Sequence, residues 1–193
     1  MFIDRDGTLN EEMDFIRTPD DLKLINGAAA SVRKLNERGL ATVVISNQSG
    51  VARGYLTEED LARIHEKLIQ ELSREGASVD RIYYCPHHPT DGNAPYNNDC
   101  ECRKPKPGML KRAEKDLGID LRKSFVVGDS VVDMQAGAAV GATTILVLTG
   151  YGKNTNEERK RGNISVDVVV ESIQEAVDHI LQKIGKGEKK QNA

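Results

Sequence analysis

Asp4-Arg5-Asp6-Gly7-Thr8 places two carboxylates one residue apart near the start of the chain. Residues two apart in an extended backbone project to the same side, so Asp4 and Asp6 can converge on one point. Close carboxylates repel, and a divalent cation relieves that repulsion while polarising a phosphoryl oxygen. In that chemistry Asp4 attacks phosphorus to form an aspartyl phosphate, and Asp6 protonates the leaving alkoxide and then activates water. The plainer reading of the pair is a strand end followed by an Asx turn. Asp129 closes the apolar run Phe125-Val126-Val127-Gly128. It is a candidate magnesium ligand with Asp4 and Asp6, because hard oxygens suit that ion.

Other segments fit the same chemistry. Ser46 and Asn47 end a β-branched run and can hydrogen-bond phosphoryl oxygens, although Ser46-Asn47-Gln48-Ser49-Gly50 alone is a polar turn. Lys104, a compact cation, can neutralise charge on a transferring phosphoryl group, and Arg103 offers a fork for a second anionic group. By themselves both are ordinary solvated charges. Asp133 can brace the Asp129 loop, but the simpler role is a first-turn carboxylate favoured by the helix dipole.

Cys85-Pro86-His87 and Cys100-Glu101-Cys102 supply three thiolates and an imidazole, a donor set for tetrahedral zinc. Four protein ligands leave no open position, so this zinc is expected to be structural. His88 is an alternative to His87, which is preferred for its symmetry with Cys100-x-Cys102. A pinned Cys102 would aim Arg103 and Lys104 at the site. His65 and His179 read as ordinary helix residues, and Lys153 to Arg161 as a solvated loop.

The elements that must position these groups alternate in type. Strands are expected at Ala41–Ile45, Arg81–Tyr84, Ser124–Val127 and Thr144–Leu148, with a weaker one at Val166–Val170. Helices are expected at Ala28–Arg38, Glu58–Arg74 behind a Thr57-x-x-Asp60 capping box, Gly108–Leu117, Val131–Val140 and Ser172–Ile184. Alternation of this kind gives an α/β fold, a parallel sheet with helices on both faces. Ligands of such sheets sit at the carboxyl ends of the strands, where Asp4, Asp6, Ser46, Asn47 and Asp129 all fall. Segment 85–107 is the one long irregular insertion expected, and such loops are usually functional.

The 193 residues suit one domain, taken as 1–184, followed by a frayed, disordered tail at 185–193. A net charge of -3 gives no general attraction to nucleic acid or anionic membrane, so local basic residues must draw any anionic ligand. No apolar run reaches the roughly 20 residues that span a bilayer. Three cysteines confined to 85–102 argue for metal ligation in a reducing compartment, and a start of Met1-Phe2-Ile3-Asp4 carries no signal peptide. A cytoplasmic protein, and a monomer, is expected.

As a set, Asp4-Arg5-Asp6-Gly7-Thr8-Leu9-Asn10, the run Ser46 to Gly54, Tyr83 to Pro89, Cys100-x-Cys102-Arg103-Lys104-Pro105-x-Pro107-Gly108-Met109 and Val127-Gly128-Asp129 closely resemble the haloacid-dehalogenase superfamily, and within it the heptose bisphosphate phosphatases. The resemblance runs from Met1 to about Asp178. It implies a Rossmann-like domain without a large cap, its zinc-binding loop partly covering the site. It further implies Asp4 as nucleophile and magnesium ligand, Asp6 as proton donor with its main-chain carbonyl on magnesium, and Asp129 as the third ligand. Ser46 and Lys104 would stabilise the phosphoryl group, Arg103 would recognise the substrate, and Glu12, Met13, Asp14, Phe15 and Ser46 to Ser49 would line the sugar site. The implied partner is a phosphosugar, the implied reaction removal of the 7-phosphate for nucleotide-heptose synthesis.

Three features depart from that pattern. Ser46 stands where threonine is common, Ser130 where some members carry a substrate-binding lysine, and only three residues precede Asp4. A truncated central strand is then expected to weaken the fold, unless the start lies upstream. Histidinol-phosphate phosphatase shares the acidic pair and a similar loop, but the Ser49-Gly50-Val51-Ala52-Arg53-Gly54 run favours the heptose enzymes. A zinc-knuckle nucleic-acid module finds neither a basic surface nor stacking aromatics at 4% aromatic content. A non-catalytic scaffold is the third alternative.

Overall fold

Every expected β-branched run forms a strand, and alternate residues of the inner strands feed two separate cores. The structure, a computed structural model, describes the backbone of residues 1–191 and the side chains of residues 1–185. The strands are β1 (Phe2–Ile3), β2 (Val43–Asn47), β3 (Arg81–Cys85), β4 (Phe125–Gly128), β5 (Thr143–Val147) and β6 (Val168–Val170). All pair in parallel, in the order β3-β2-β1-β4-β5-β6. The order reverses at β1, which places the switch point beside the first acidic residue.

The helices are α1 (Ala28–Glu37), α2 (Glu58–Arg74), α3 (Gly108–Leu117), α4 (Val131–Ala138), α5 (Gly152–Lys160) and α6 (Ile173–Gln191). Ile3, Val44 and Val127 point into one core with Leu35 of α1, Leu61, Ile64 and Leu68 of α2, and Val177 of α6. Phe2, Val43, Ile45 and Val126 point the other way, against Met109 and Leu110 of α3 and Ala136 of α4. This period-2 split is what buries both faces of a parallel sheet. Although β1 is two residues long, Phe2 pairs with Val43 and Val126, and Ile3 with Val44 and Val127.

The structure departs from expectation in several places. Thr42 N–H donates to the Asp80 carboxylate at 2.7 Å instead of joining the ladder, so β2 begins at Val43 and carries Ser46 and Asn47 inside the strand. Asp167 accepts from Thr144 N–H at 2.7 Å, which delays β6 to Val168. Residues 153–160, expected as a loop, belong to α5. That helix buries only Gly152 and Thr155, so it lacks an apolar stripe, and ion pairs such as Lys160–Glu157 at 2.8 Å support it. Helix α6 runs to Gln191, past the tail boundary expected at 185, because isolated glycines weaken a helix by about 1 kcal/mol without ending it. The rest of that tail, 192–193, lies outside the described residues. Segment 85–107 is irregular as expected, and so is 4–27, where a single 3-10 turn at Pro19–Asp21 interrupts the loop.

Position on α2 sets the expected sensitivity to truncation. Ile64 is fully buried and Ile69 is 48% exposed. Ile64→Ala should cost about 2–5 kcal/mol and Ile69→Ala no more than about 0.5 kcal/mol in urea unfolding. Equal losses would contradict the helix register.

Candidate active site

Each acidic residue of interest leaves the sheet at the carboxyl end of a strand. Asp4 follows β1 and extends the ladder by donating its N–H to Val127 O at 2.9 Å. Asp129 follows β4 directly. The chain then turns at Gly7, whose φ is +76° and where a Cβ would collide with the Asp129 carboxylate. Only glycine permits both the turn and that approach.

Lys104 enters this cluster from the loop after β3. Its ammonium donates to Asp4 Oδ1 at 2.7 Å, Asp133 Oδ1 at 2.6 Å and Ile45 O at 3.0 Å, using all three hydrogens. Asn47 clamps its main chain from both sides. The Lys104 N–H donates to Asn47 Oδ1, and Asn47 Nδ2 donates to Lys104 O, each at 3.0 Å. Asp133 is fully buried. Its Oδ2 accepts from Ser130 N–H at 3.0 Å in the capping box that starts α4.

Asp4, Asp129 and Asp133 bring carboxylate oxygens within 4.8 Å of one another. Burial, then the charge of Asp133, pushes Asp4 well above the usual carboxylate range and Asp129 up to about 7. Burial opposes the charge on Lys104, but Asp133 and Asp4 outweigh it and hold the ammonium protonated. Three carboxylates and one ammonium leave two negative charges over, which a divalent cation would neutralise. Both Asp133 oxygens are taken by Lys104 and Ser130, whereas Asp4 Oδ2 and Asp129 Oδ1 find no partner among the described residues. This donor set fits magnesium.

The Asp6 side chain faces a different environment. Arg5 donates to both of its oxygens at 3.0 Å, Asn10 to Oδ1 at 2.9 Å and Gln48 to Oδ2 at 2.8 Å. Burial works against this charge, but Arg5 and these hydrogen bonds win and hold Asp6 below the usual range. Its carboxylate therefore lies outside the acidic trio.

A cavity of about 350 Å³ opens over the cluster, lined by Asp4, Asp6, Ser46, Asn47, Gln48, Ser49, Arg103, Lys104, Asp129 and Ser130, and by Glu12, Asp14 and Phe15. Met13, expected to line it as well, is 48% exposed and is absent from its wall. The cause is a tight turn: Asp14 adopts φ +57° and Phe15 N–H donates to Met13 O at 2.6 Å, which swings Met13 outward. Ser130 spends its hydroxyl on Asp133. Arg103 is half-buried and donates to His87 O at 3.1 Å.

Cys85, His87, Cys100 and Cys102 converge behind Arg103. Their Sγ and Nδ1 atoms lie 2.8 to 3.6 Å from their neighbours, and all three cysteines are free thiols. The hydrogen bond from Cys102 lowers the Cys85 thiol to about 6. Three sulfurs and one imidazole fit a tetrahedral zinc. His88 turns away and accepts at Nδ1 from Asp91 N–H at 3.0 Å. Two phenols tie the loop to the first turn of α2, Tyr84 and Tyr96 donating to Glu58 at 2.6 and 2.7 Å.

Several residues of this site were not singled out in the sequence. Arg5 is 1% exposed and braces Asp6. Asn10 bonds Asp6, and Tyr151 N–H donates to Asp129 Oδ2 at 2.7 Å. Asp133, weighed in the sequence as a brace for the Asp129 loop or a first-turn charge, does lie in the first turn of α4, and its role as the second anchor of Lys104 is what the sequence left unseen. Ser130-x-x-Asp133 carries a capping-box signature, but nothing local marks the lysine partner.

A six-stranded parallel sheet with this acidic cluster and buried lysine at its switch point is the arrangement of a haloacid-dehalogenase-type hydrolase. Residues 101–176 match a family model described as HAD-hydrolase-like. The chain is 43% identical over 188 residues to D-glycero-beta-D-manno-heptose-1,7-bisphosphate 7-phosphatase of Pasteurella multocida, covering 97% of this chain and 96% of that one. It is 40% identical to the Haemophilus influenzae protein of the same name, covering 96% and 98%. The crystal structure of D,D-heptose 1,7-bisphosphate phosphatase from B. bronchiseptica, complexed with magnesium and phosphate, superposes with a TM-score of 0.84 at 34% identity, covering 95% of this chain and 98% of that one. The chain belongs to the heptose 1,7-bisphosphate phosphatase family of the haloacid-dehalogenase superfamily. Among the described residues no helix is long and apolar enough to cross a membrane.

The raised Asp129 carboxyl has a consequence for stability. A folded-state value of about 7 against an ordinary 3.8 means the native protein holds this proton more tightly than the unfolded chain. That contribution is complete below about pH 4 and is lost as pH rises through about 7. In chelator-treated protein, Asp129→Asn should gain thermal stability over the parent between pH 5 and 8 and gain little at pH 4. Parallel curves across that range would contradict the electrostatic assignment.

Proposed function

We propose that this chain removes the 7-phosphate of D-glycero-D-manno-heptose 1,7-bisphosphate through a phosphoaspartyl intermediate on Asp4, in nucleotide-heptose synthesis. The observation that carries this reading is the convergence of Asp4, Ser46, Lys104 and Asp129 on one cavity. The relatives that span nearly the whole chain carry the heptose name, which supports the substrate and weighs against histidinol phosphate.

Lys104 orients the Asp4 carboxylate through Oδ1, and that carboxylate attacks phosphorus while the bond from phosphorus to the sugar oxygen breaks. Ser46 donates a hydrogen bond to a phosphoryl oxygen, and the Lys104 ammonium offsets the phosphoryl charge. Asp6 gives the departing alkoxide its proton. Arg5 keeps Asp6 ionised at rest, so that proton arrives with the substrate, a phosphate monoester whose second pKa is about 6. Asp6 then takes a proton from the water that cleaves the aspartyl phosphate, releasing inorganic phosphate and regenerating Asp4. Magnesium, held by Asp4, Asp129 and the Asp6 main-chain carbonyl, would supply Lewis-acid polarisation of a phosphoryl oxygen. Zinc in the Cys85, His87, Cys100 and Cys102 knot would be structural and fix the exit of the loop that carries Arg103 and Lys104. Arg103 serves the second, anomeric phosphate, with Glu12, Asp14, Phe15, Asn47 and Ser49 along the sugar.

Asp4→Asn should abolish turnover while leaving zinc content and the folded state intact, read by metal analysis and a cooperative thermal transition. Retained hydrolysis would overturn the nucleophile assignment. Phosphate release from both anomers of heptose 1,7-bisphosphate should exceed release from histidinol phosphate and fall on magnesium chelation. Faster turnover of histidinol phosphate would refute the substrate.

A further inference from the structure

Gln48 lines the cavity, yet its polar atoms are spent inward. The orientation of its amide is fixed by its partners. Arg5 Nη2 can only donate, and it stands 3.0 Å from Gln48 Oε1. That contact leaves Nε2 as the donor end, and Asp6 Oδ2 accepts from it at 2.8 Å. The second hydrogen of that amide reaches Ser46 Oγ at 2.7 Å. Ser46 is buried, and its own hydroxyl hydrogen has no protein acceptor among the described residues. With a donor behind it, that hydrogen is directed into the cavity, where a phosphoryl oxygen would arrive.

We propose that Gln48 is a positioning residue and not a sugar contact: it makes Ser46 a donor toward the phosphoryl group and, with Arg5, fixes the Asp6 carboxylate. The inference rests on the roles given above to Ser46 and Asp6. Its consequences separate it from a sugar contact. Ser46 meets the phosphoryl group of every phosphate monoester, and Asp6 activates the water that cleaves the same aspartyl phosphate whatever group has left. The effect of losing Gln48 must therefore persist on an ester without the sugar.

Two variants of similar volume test this on heptose 1,7-bisphosphate and on p-nitrophenyl phosphate, which has no sugar. Gln48→Met removes the hydrogen bonds. It should lower kcat by about 10²-fold on both substrates and change KM by less than about threefold. Gln48→Glu should be slower than Gln48→Met at pH 7, because its carboxylate accepts the Ser46 hydrogen and repels Asp6. Its activity should recover as pH falls and the introduced carboxylate takes a proton. A loss confined to the heptose substrate and carried by KM would overturn the proposal in favour of a sugar contact. Equal kcat losses in both variants with the parent pH profile would overturn it in favour of a merely structural role. Parent protein active on p-nitrophenyl phosphate but inactive on heptose 1,7-bisphosphate would sink the substrate assignment and leave this test readable on the simpler ester.

Discussion

A buried ammonium between two buried carboxylates is the constraint around which the rest of this structure is arranged. Lys104, Asp4 and Asp133 are each less than a tenth exposed. Removing such charges from water is expensive, and the desolvation is offset only by tight, fully used hydrogen-bonding geometry. All three Lys104 hydrogens are therefore committed, one to a strand carbonyl and two to carboxylates. Deleting either carboxylate would leave a charge without its partner, so the trio behaves as a unit.

Satisfying that geometry requires three distant parts of the chain to meet. Asp4 comes from the strand at the centre of the sheet, Asp133 from the first turn of α4, and Lys104 from a loop without regular structure. A long side chain on a mobile loop would lose much of its electrostatic gain to entropy. Two devices remove that freedom. Asn47, on the last residue of β2, holds the Lys104 main chain through a pair of hydrogen bonds. Two residues earlier, Cys102 is gathered with Cys85, Cys100 and His87. The Glu58 carboxylate, receiving Tyr84 and Tyr96, ties the far side of the same loop to a rigid helix.

What was legible in the sequence follows from how each feature is encoded. A strand buried on both faces must be a continuous apolar run, so β2, β4 and β5 show themselves, and the half-covered edge strands β3 and β6 do so through their β-branched and aromatic residues. Their ends move by a residue or two where Asp80 or Asp167 captures a backbone N–H, a long-range event with no local signature. Helix α5 escapes notice because it buries two small residues and has no apolar period. Asp4, Ser46, Asp129 and the Cys–His quartet can be picked out as candidates by type and spacing, and the fold gathers the first three at one cavity and the last four in one cluster. The roles of Asp133 and Arg5 cannot be read that way, because their partners are set by the fold. Met13 illustrates the opposite failure: it sits in a lining segment, but a left-handed Asp14 turns it outward.

The two carboxylates that open the chain are one residue apart and electrostatically opposite. Burial and Asp133 raise the proton affinity of Asp4, whereas Arg5, Asn10 and Gln48 lower that of Asp6. Neighbouring acids pushed apart in this way are how one site assigns two roles to one residue type. In the proposed reaction the nucleophile must be ionised and its neighbour must pass a proton, the reverse of this resting balance. Asp4 and Asp129 would hold a divalent cation, whose charge would lower the proton affinity of Asp4. An incoming phosphate monoanion beside Asp6 brings a proton, and its negative charge raises the proton affinity of that group. Cation and substrate together would therefore invert the pair, the one acting on Asp4 and the other on Asp6.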